Sequence, residues 1–261
     1  MDMEFYQARF AEFLAETGAL FFAPGLKLKD GRPTPYFVNM GMFFSGRLSN
    51  RLGSFYADLI KKEVIDRGTG IDIVCGPSYK GSAIAVAAAS ALHASYGIDV
   101  GFCYDRKEAK THGEASAKSD LFVGSRFFDG CNVFIVDDVL TTAATKLEII
   151  EKIRAYAENE GIKINIVGLG IGVDREQTTA VYDGSGNIML NVRGRDPVEE
   201  FKKKTQVPVY AIGSITEIAD HLLKKGLKVK GKEVITSAEL ELLQGYLAVY
   251  GLVRGETRDE K

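Results

Sequence analysis

Asp137 and Asp138 end an apolar, strand-like run at 132–136 and are followed by Val139-Leu140-Thr141-Thr142-Ala143-Ala144-Thr145. An ionised carboxylate only accepts hydrogen bonds and a vicinal diol offers two donors, so the pair suits the hydroxyls of a ribose. Across 144–159 helix-forming residues recur at apolar spacing, which makes the threonine-rich turn the start of a helix. The free N–H groups of a first helical turn attract an anion, and threonine hydroxyls add donors. Carboxylates beside such a cup would repel the phosphate itself, which leaves them the group attached to it. These residue types describe a sugar-phosphate site. The competing reading is an ordinary strand end with solvated aspartates, and other segments must decide.

A second concentration of chemistry lies at 105–114, DRKEAKTHGE, where Arg106, Lys107, Lys110 and His112 place four cationic or potentially cationic groups within seven residues. A polyanion is the natural target. Arginine's planar donor fork and lysine's mobile charge together neutralise a pyrophosphate whose charge rises as it departs. His112 can carry a proton near neutrality when phosphate is close. A charge run of this kind also occurs as a plain solvated loop.

Regular elements must position these groups. The 261 residues, 46% hydrophobic, suffice for one large α/β domain with a continuous core. We expect a single domain over 1–261, with a small cap at 1–70, a core sheet at 71–215 and carboxy-terminal helices at 216–261. Helical spacing covers 3–17 and 48–65, and the Gly-, Pro- and aromatic-rich 25–46 reads as short strands and turns. A strand at 71–75 turns through GPSYKG at 76–81 into an alanine-rich helix, and 99–104, 132–137 and 164–171 supply further strands. The alternation predicts a doubly wound, mainly parallel sheet. The polar stretch 105–125 lacks periodicity, and a loop of that length is usually functional or mobile. Beyond it, 183–187 predicts a hairpin, 207–212 a strand, 216–225 and 237–250 helices, and 254–261 a frayed tail.

With 33 basic and 35 acidic residues the formal charge is −2, so no global basic field recruits nucleic acid or membrane, and any anion site is local. Cys75, Cys103 and Cys131 sit in or beside apolar runs without a C-x-x-C pair and read as reduced core thiols. No basic-flanked apolar leader and no run of about 18 apolar residues is present, so a cytoplasmic chain is expected.

The 132–145 run resembles the phosphoribosyl pyrophosphate (PRPP) signature of type I phosphoribosyltransferases, and DRKEAKTHGE resembles the NRKEAKxHGE loop of the orotate phosphoribosyltransferases. LKDGRPTPYFVN at 28–39 is similar to that family's amino-terminal substrate segment, GPSYKG to its pyrophosphate loop, and GVDREQ at 172–177 to its DRQE strand end. Order and spacing agree from the first helix to the last, with an apparent insertion near 179–195.

The resemblance implies the type I fold with an amino-terminal cap and a mobile catalytic loop. It implies transfer of ribose 5-phosphate from PRPP to orotate, giving orotidine 5'-monophosphate and pyrophosphate in pyrimidine (UMP) synthesis. Catalysis falls to Lys110, His112, Asp137 and Asp138. PRPP is held by Lys29, Tyr79, Lys80, Arg106, Lys107, Lys110 and His112, and by Asp137, Asp138, Val139, Leu140, Thr141, Thr142, Ala143, Ala144 and Thr145. Orotate meets Lys29, Phe37, Val38, Thr141 and Arg175, the last suited to its carboxylate. Lys107 acts in the neighbouring subunit, which implies a homodimer with shared sites. Mg²⁺ is implied as cofactor, held mainly through PRPP and water rather than by a protein cage.

Taken singly, Lys29 and Arg175 read as surface ion-pair partners, Tyr79 as half-buried packing and Phe37 as core. His93 and His221 lie in helical stretches without a motif and read as structural. Gly168, Gly170 and Gly172 lack a dinucleotide pattern and read as close-packing positions. Ala143 and Ala144 replace glycines common in the PRPP signature, and Val38 stands where an aromatic is frequent. Two alternatives stay open: a phosphoribosyltransferase for another base, and a PRPP-sensing regulator without turnover.

Overall fold

The computed structural model describes residues 3–107, 121–140 and 144–252. Lys110 and His112 of the expected catalytic loop, Thr141, Thr142 and Ala143 of the signature, and the tail at 254–261 lie outside the described residues. Helix α1 (Phe5–Glu16) buries Phe10, Phe13 and Leu14, and Gly18, at φ 71°, follows it into an antiparallel pair, β1 (Leu20–Lys27) and β2 (Pro33–Val38). Helix α2 (Gly46–Ile60) starts where the Ser45 side chain accepts the Leu48 N–H, and it runs on as a π-helical turn (Lys61–Ile65).

The main alternation is β3 (Ile73–Gly76), α3 (Lys80–Tyr96), β4 (Gly101–Asp105), β5 (Phe122–Gly124), β6 (Cys131–Val139), α4 (Ala144–Glu160), β7 (Ile164–Asp174), α5 (Pro197–Thr205) and β8 (Val209–Ser214). A two-residue pair of strands, β9 (Lys228–Val229) and β10 (Lys232–Glu233), separates α6 (Ile215–Lys225) from α7 (Ser237–Tyr250). The six strands β3 to β8 lie in the order β5-β4-β3-β6-β7-β8, parallel except for β5. From β3 the chain crosses to β4 on one side, and β6 lies on the other, so the order reverses between β3 and β6. Open sheets of this kind bind ligands at that reversal, outside the carboxyl ends of the strands. Val74 lies opposite Phe134 and Cys75 opposite Ile135, so the turn after Gly76 and the two aspartates open side by side.

Alternate strand residues enter opposite cores. Val74, Phe134, Val136 and Ile212 join the residues of α1, α2, α3, α6 and α7, while Ile73, Cys75, Ile135 and Leu169 join those of α4 and α5. Phe10, Phe13 and Phe134 are fully buried, each contributing roughly 1.5–3 kcal/mol of transfer free energy. The cysteines are free and buried, as expected. A β carbon at Gly168 or Gly170 would come within 2.7 or 2.8 Å of the Phe134 ring, so these glycines are close-packing positions.

Four differences from the sequence reading have physical causes. Strand β6 continues two residues past the expected end at 137, with Asp137 opposite Ile171 and Val139 opposite Val173, so Asp138 is a strand residue as well. Inside the polar stretch, β5 pairs with β4 through only three residues, too few for a period to show. Helix α5 sets Val198 and Phe201 among Glu199, Glu200 and three consecutive lysines, Lys202, Lys203 and Lys204, and its local signals were the Asp196 cap and Pro197. The 183–187 cluster is a turn with one bridge, Tyr182 to Ile188, and the Asp183 carboxylate closes it by accepting the N–H groups of Ser185 and Asn187. Among the described residues no helix is long and apolar enough to cross a membrane.

Candidate active site

The turn after β3 is folded on itself. A β carbon on Gly76 would lie 1.9 Å from the Gly81 carbonyl oxygen, and one on Gly81 would lie 2.5 Å from Pro77 Cδ, so neither position admits a side chain. The fold of this turn leaves Tyr79 79% exposed and puts Lys80 at the start of α3; the Ser78–Tyr79 peptide is cis. Lys80 Nζ reaches Asp138 Oδ2 at 2.8 Å across the reversal point, while Asp138 Oδ1 accepts the Val139 N–H at 2.7 Å. The exposed Lys80 gains little stability from this pair, which leaves both groups open to exchange for a ligand.

Asp137 lies on the buried side. Lys146, in the first turns of α4, meets its Oδ2 at 2.6 Å, and both side chains are only 7% exposed. Burial raises the Asp137 carboxyl above its ordinary range against the pull of Lys146, and neighbouring Asp138 adds to the rise. The Tyr56 hydroxyl donates to the Asp137 carbonyl at 2.7 Å. Sequence reasoning missed Lys146. Its signal was spacing: Lys146, Ile149, Ile150 and Ile153 share one helical face, so the lysine falls on the buried stripe and needs a counter-charge.

The other half of the site is built by β2, the end of β7 and α7. Arg175 is buried, where a lone arginine reads from sequence as a surface ion-pair partner. Its guanidinium lies over the Tyr36 ring at 5.0 Å and its Nε donates to the Tyr36 hydroxyl at 3.2 Å. Burial pushes the Tyr36 phenol up, so it stays neutral and available as an acceptor. Nη2 of Arg175 is buried without a hydrogen-bond partner among the described residues. A desolvated donor of this kind is costly alone and suited to an incoming carboxylate or carbonyl.

The backbone around Arg175 is held on both sides. Glu176 has φ 51°, uncommon for a residue with a side chain; its N–H donates to Asp174 Oδ1 and its Oε2 accepts the Thr216 N–H. Gln177 Oε1 accepts the Tyr246 hydroxyl at 2.8 Å, and the Thr178 carbonyl accepts Arg32 Nη1 at 2.8 Å. Asp30 Oδ2 accepts from Nε and Nη2 of Arg32; burial opposes its charge, yet Arg32 holds its pKa below the ordinary value.

Phe37 and Val38 are half-buried beside Tyr36, with the Phe37 ring 6.0 Å from Phe21. Lys29 is exposed between β1 and β2, Val139 ends β6 with the buried Leu140 just after it, and Ala144 and Thr145 are exposed at the start of α4. Arg106 and Lys107 follow β4; Arg106 Nε is buried without a described partner and Lys107 is exposed. The structure brings Lys80 to Asp138 and Arg175 to the 36–38 segment, and Gly172 lies between these halves. A β carbon there would sit 2.9 Å from Met40 Cε, 3.1 Å from the Tyr56 hydroxyl and 3.2 Å from the Asp138 carbonyl oxygen.

The phosphoribosyl transferase domain family matches residues 50–184, which span the reversal point and Arg175. The orotate phosphoribosyltransferase of Bifidobacterium adolescentis is 36% identical over 249 residues, covering 93% of this chain and 96% of its own length. This chain belongs to the orotate phosphoribosyltransferase family. The family's member from Clostridium botulinum strain Alaska E43 is 34% identical over 249 residues, with 95% and 99% covered. Among solved structures, the orotate phosphoribosyltransferase of Francisella tularensis superposes with a TM-score of 0.67 at 25% identity, covering 94% of this chain and 100% of that one. The family fold is thus the doubly wound sheet expected from the alternation.

Proposed function

We propose that this chain transfers ribose 5-phosphate from PRPP to N1 of orotate, releasing pyrophosphate and giving orotidine 5'-monophosphate for UMP synthesis. Family membership supports the substrate pair. The buried Arg175, whose Nη2 has no hydrogen-bond partner among the described residues, at the end of β7 beside the 36–38 segment, carries the choice of base, because a planar guanidinium suits the orotate carboxylate.

In this reading Lys80 turns from Asp138 to the pyrophosphate, and Asp138 then accepts the ribose hydroxyls. Asp137, already tied to Lys146, fixes the strand end. The start of α4, with Ala144 and Thr145 preceded by Thr141, Thr142 and Ala143, takes the 5-phosphate. Tyr79, Lys80, Arg106, Lys110 and His112 hold the pyrophosphate, and Lys29 meets the anions from the cap. The bond from the anomeric carbon to pyrophosphate oxygen breaks with its electron pair leaving on oxygen. The bond to N1 forms as the N1 proton passes to solvent. Positive charge developing on the sugar is tolerated beside the carboxylates. Orotate N1 is weakly acidic, so no strong protein base is required.

The donor set fits a Mg²⁺ that arrives with PRPP: Asp138 offers one carboxylate at the reversal point, beside Lys80 of the turn read as the pyrophosphate cradle. Bound in that way, the ion supplies charge neutralisation to the departing pyrophosphate. The reading extends to one domain with residues 1–70 as cap, to a homodimer in which Lys107 serves the neighbour's site, and to the cytoplasm, which suits free buried cysteines.

Offering orotate, uracil and purine bases with PRPP tests the assignment. Orotate alone should be consumed. Equal use of another base would move the assignment to that base, and PRPP binding without turnover of any of them would make the chain a regulator.

A further inference from the structure

We infer that Asp105 and Lys152 form a positioning pair that shapes the pyrophosphate turn and cancels the charge of the carboxylate that does so. The inference rests on reading the 76–81 turn as the pyrophosphate cradle. Asp105 is the last residue of β4 and its side chain is 2% exposed. Its Oδ1 accepts the Ser78 N–H at 2.7 Å, and its backbone carbonyl accepts the Ser78 hydroxyl. Its Oδ2 accepts Lys152 Nζ at 2.6 Å, and Lys152 also meets Glu148 at 2.7 Å, one turn earlier on α4.

The same residue roots the cationic segment. Asp105 lies opposite Phe122, and the Arg106 N–H donates to the Leu121 carbonyl at 2.8 Å, so the chain leaves and re-enters the sheet beside this carboxylate. Asp105 therefore ties the 76–81 turn to helix α4 through its side chain, and its backbone pairs where the 106–121 segment starts. All three carry residues assigned above to PRPP.

Charge decides why a lysine is needed. A buried carboxylate bonded to the backbone of a pyrophosphate cradle would repel the ligand, and the repulsion is strong where water is excluded. Lys152 removes it. Burial acts to neutralise Lys152, but Asp105 and Glu148 outweigh that and hold its pKa above the ordinary lysine value, so the counter-charge is present throughout the neutral range. An asparagine oxygen in place of the carboxylate would hold Ser78 without needing an ammonium. The aspartate here and Lys152 belong together.

A double-mutant cycle on the full chain tests this, reading PRPP binding by calorimetry without orotate, both KM values and the thermal midpoint. Lys152→Met strands the Asp105 charge, and PRPP binding should weaken by about tenfold or more while the orotate KM stays within about twofold. Asp105→Asn combined with Lys152→Met keeps an acceptor for Ser78 and removes the charge, so PRPP affinity should return most of the way. Unchanged affinity in Lys152→Met, or a double variant no tighter than the single, overturns the inference; so does a lowered midpoint with both KM values raised together, the mark of a merely structural pair.

Should Lys152→Met fail to fold, Ser78→Ala cuts the bond to the Asp105 carbonyl without stranding a charge. Its PRPP KM should rise with the orotate KM unmoved, and a wild-type PRPP KM there overturns the inference. Absence of PRPP binding in the wild-type chain overturns the phosphoribosyl reading and this inference with it. Wild-type binding that none of these variants moves counts against the pair alone.

Discussion

Arg175 and Asp137 are residues whose meaning changes with burial. Both types read from sequence as solvated, and both are desolvated in the structure, Arg175 against Tyr36 and Asp137 against Lys146. If Arg175 grips the orotate carboxylate, Arg175→Ala should lower kcat/KM for orotate by about 2–4 kcal/mol of transition-state stabilisation while PRPP binding holds, with Arg175→Lys recovering only part. Steady-state kinetics with each substrate varied decides it; equal weakening of PRPP binding would mean general damage. The two aspartates should separate. Asp138→Asn should fold normally and lose turnover, whereas Asp137→Asn strands Lys146 and should cost about 3–5 kcal/mol of stability in urea unfolding. A stable Asp137→Asn protein would show that the buried pair is not what ties α4 to β6. The motif made the aspartates legible. Their division of labour was not, because it depends on a lysine nine residues away that the helix carries back.

At the scale of elements, the apolar periods marked α1, α2, β3, α3, β6, α4, β7 and β8, because each is long or apolar enough to show its period. Short elements escaped: β5 is held by its partner β4 rather than by propensity, and α5 is nine residues long. Also illegible was the clamp that α7 places on the strand end bearing Arg175. Tyr246 bonds Gln177, the Tyr250 carbonyl accepts both the N–H and the hydroxyl of Thr178, and the Leu252 N–H donates to the Glu176 carbonyl. These contacts join residues some seventy positions apart, beyond the reach of any local pattern. Tyr246→Phe leaves the Gln177 oxygen buried without its donor and should reduce stability by about 1–3 kcal/mol, with faster amide exchange at 176–178. Unchanged exchange there would remove α7 from the support of the strand end that bears Arg175.

For the molecule as a whole, the sheet was legible in outline because one alternation and one set of motifs agreed. The buried ion pairs were not, since they join distant segments. One such cluster, around Glu12, is expected to contribute to acid stability. Burial opposes the charge of Glu12, but Lys225 and His221 on α6 overcome it and hold its pKa below the ordinary 4.5. Its contribution is therefore complete above that value and is lost as pH falls through the depressed one. Glu12→Gln should flatten the acid limb of the unfolding midpoint against pH; an unchanged limb would place the acid sensitivity elsewhere. Assembly is tested by mixing. A Lys107→Ala chain exchanged with an Asp138→Asn chain should regain activity, since one of the two mixed sites is built from intact parts, and no recovery despite demonstrated exchange would rule out sharing. The central claim is chemical, and the most direct measurement follows orotate absorbance in purified protein on adding PRPP and Mg²⁺ while counting pyrophosphate released. The account predicts loss of orotate absorbance that requires PRPP, with one pyrophosphate for each orotate consumed. Orotate left untouched, or pyrophosphate released without orotate consumption, would contradict it.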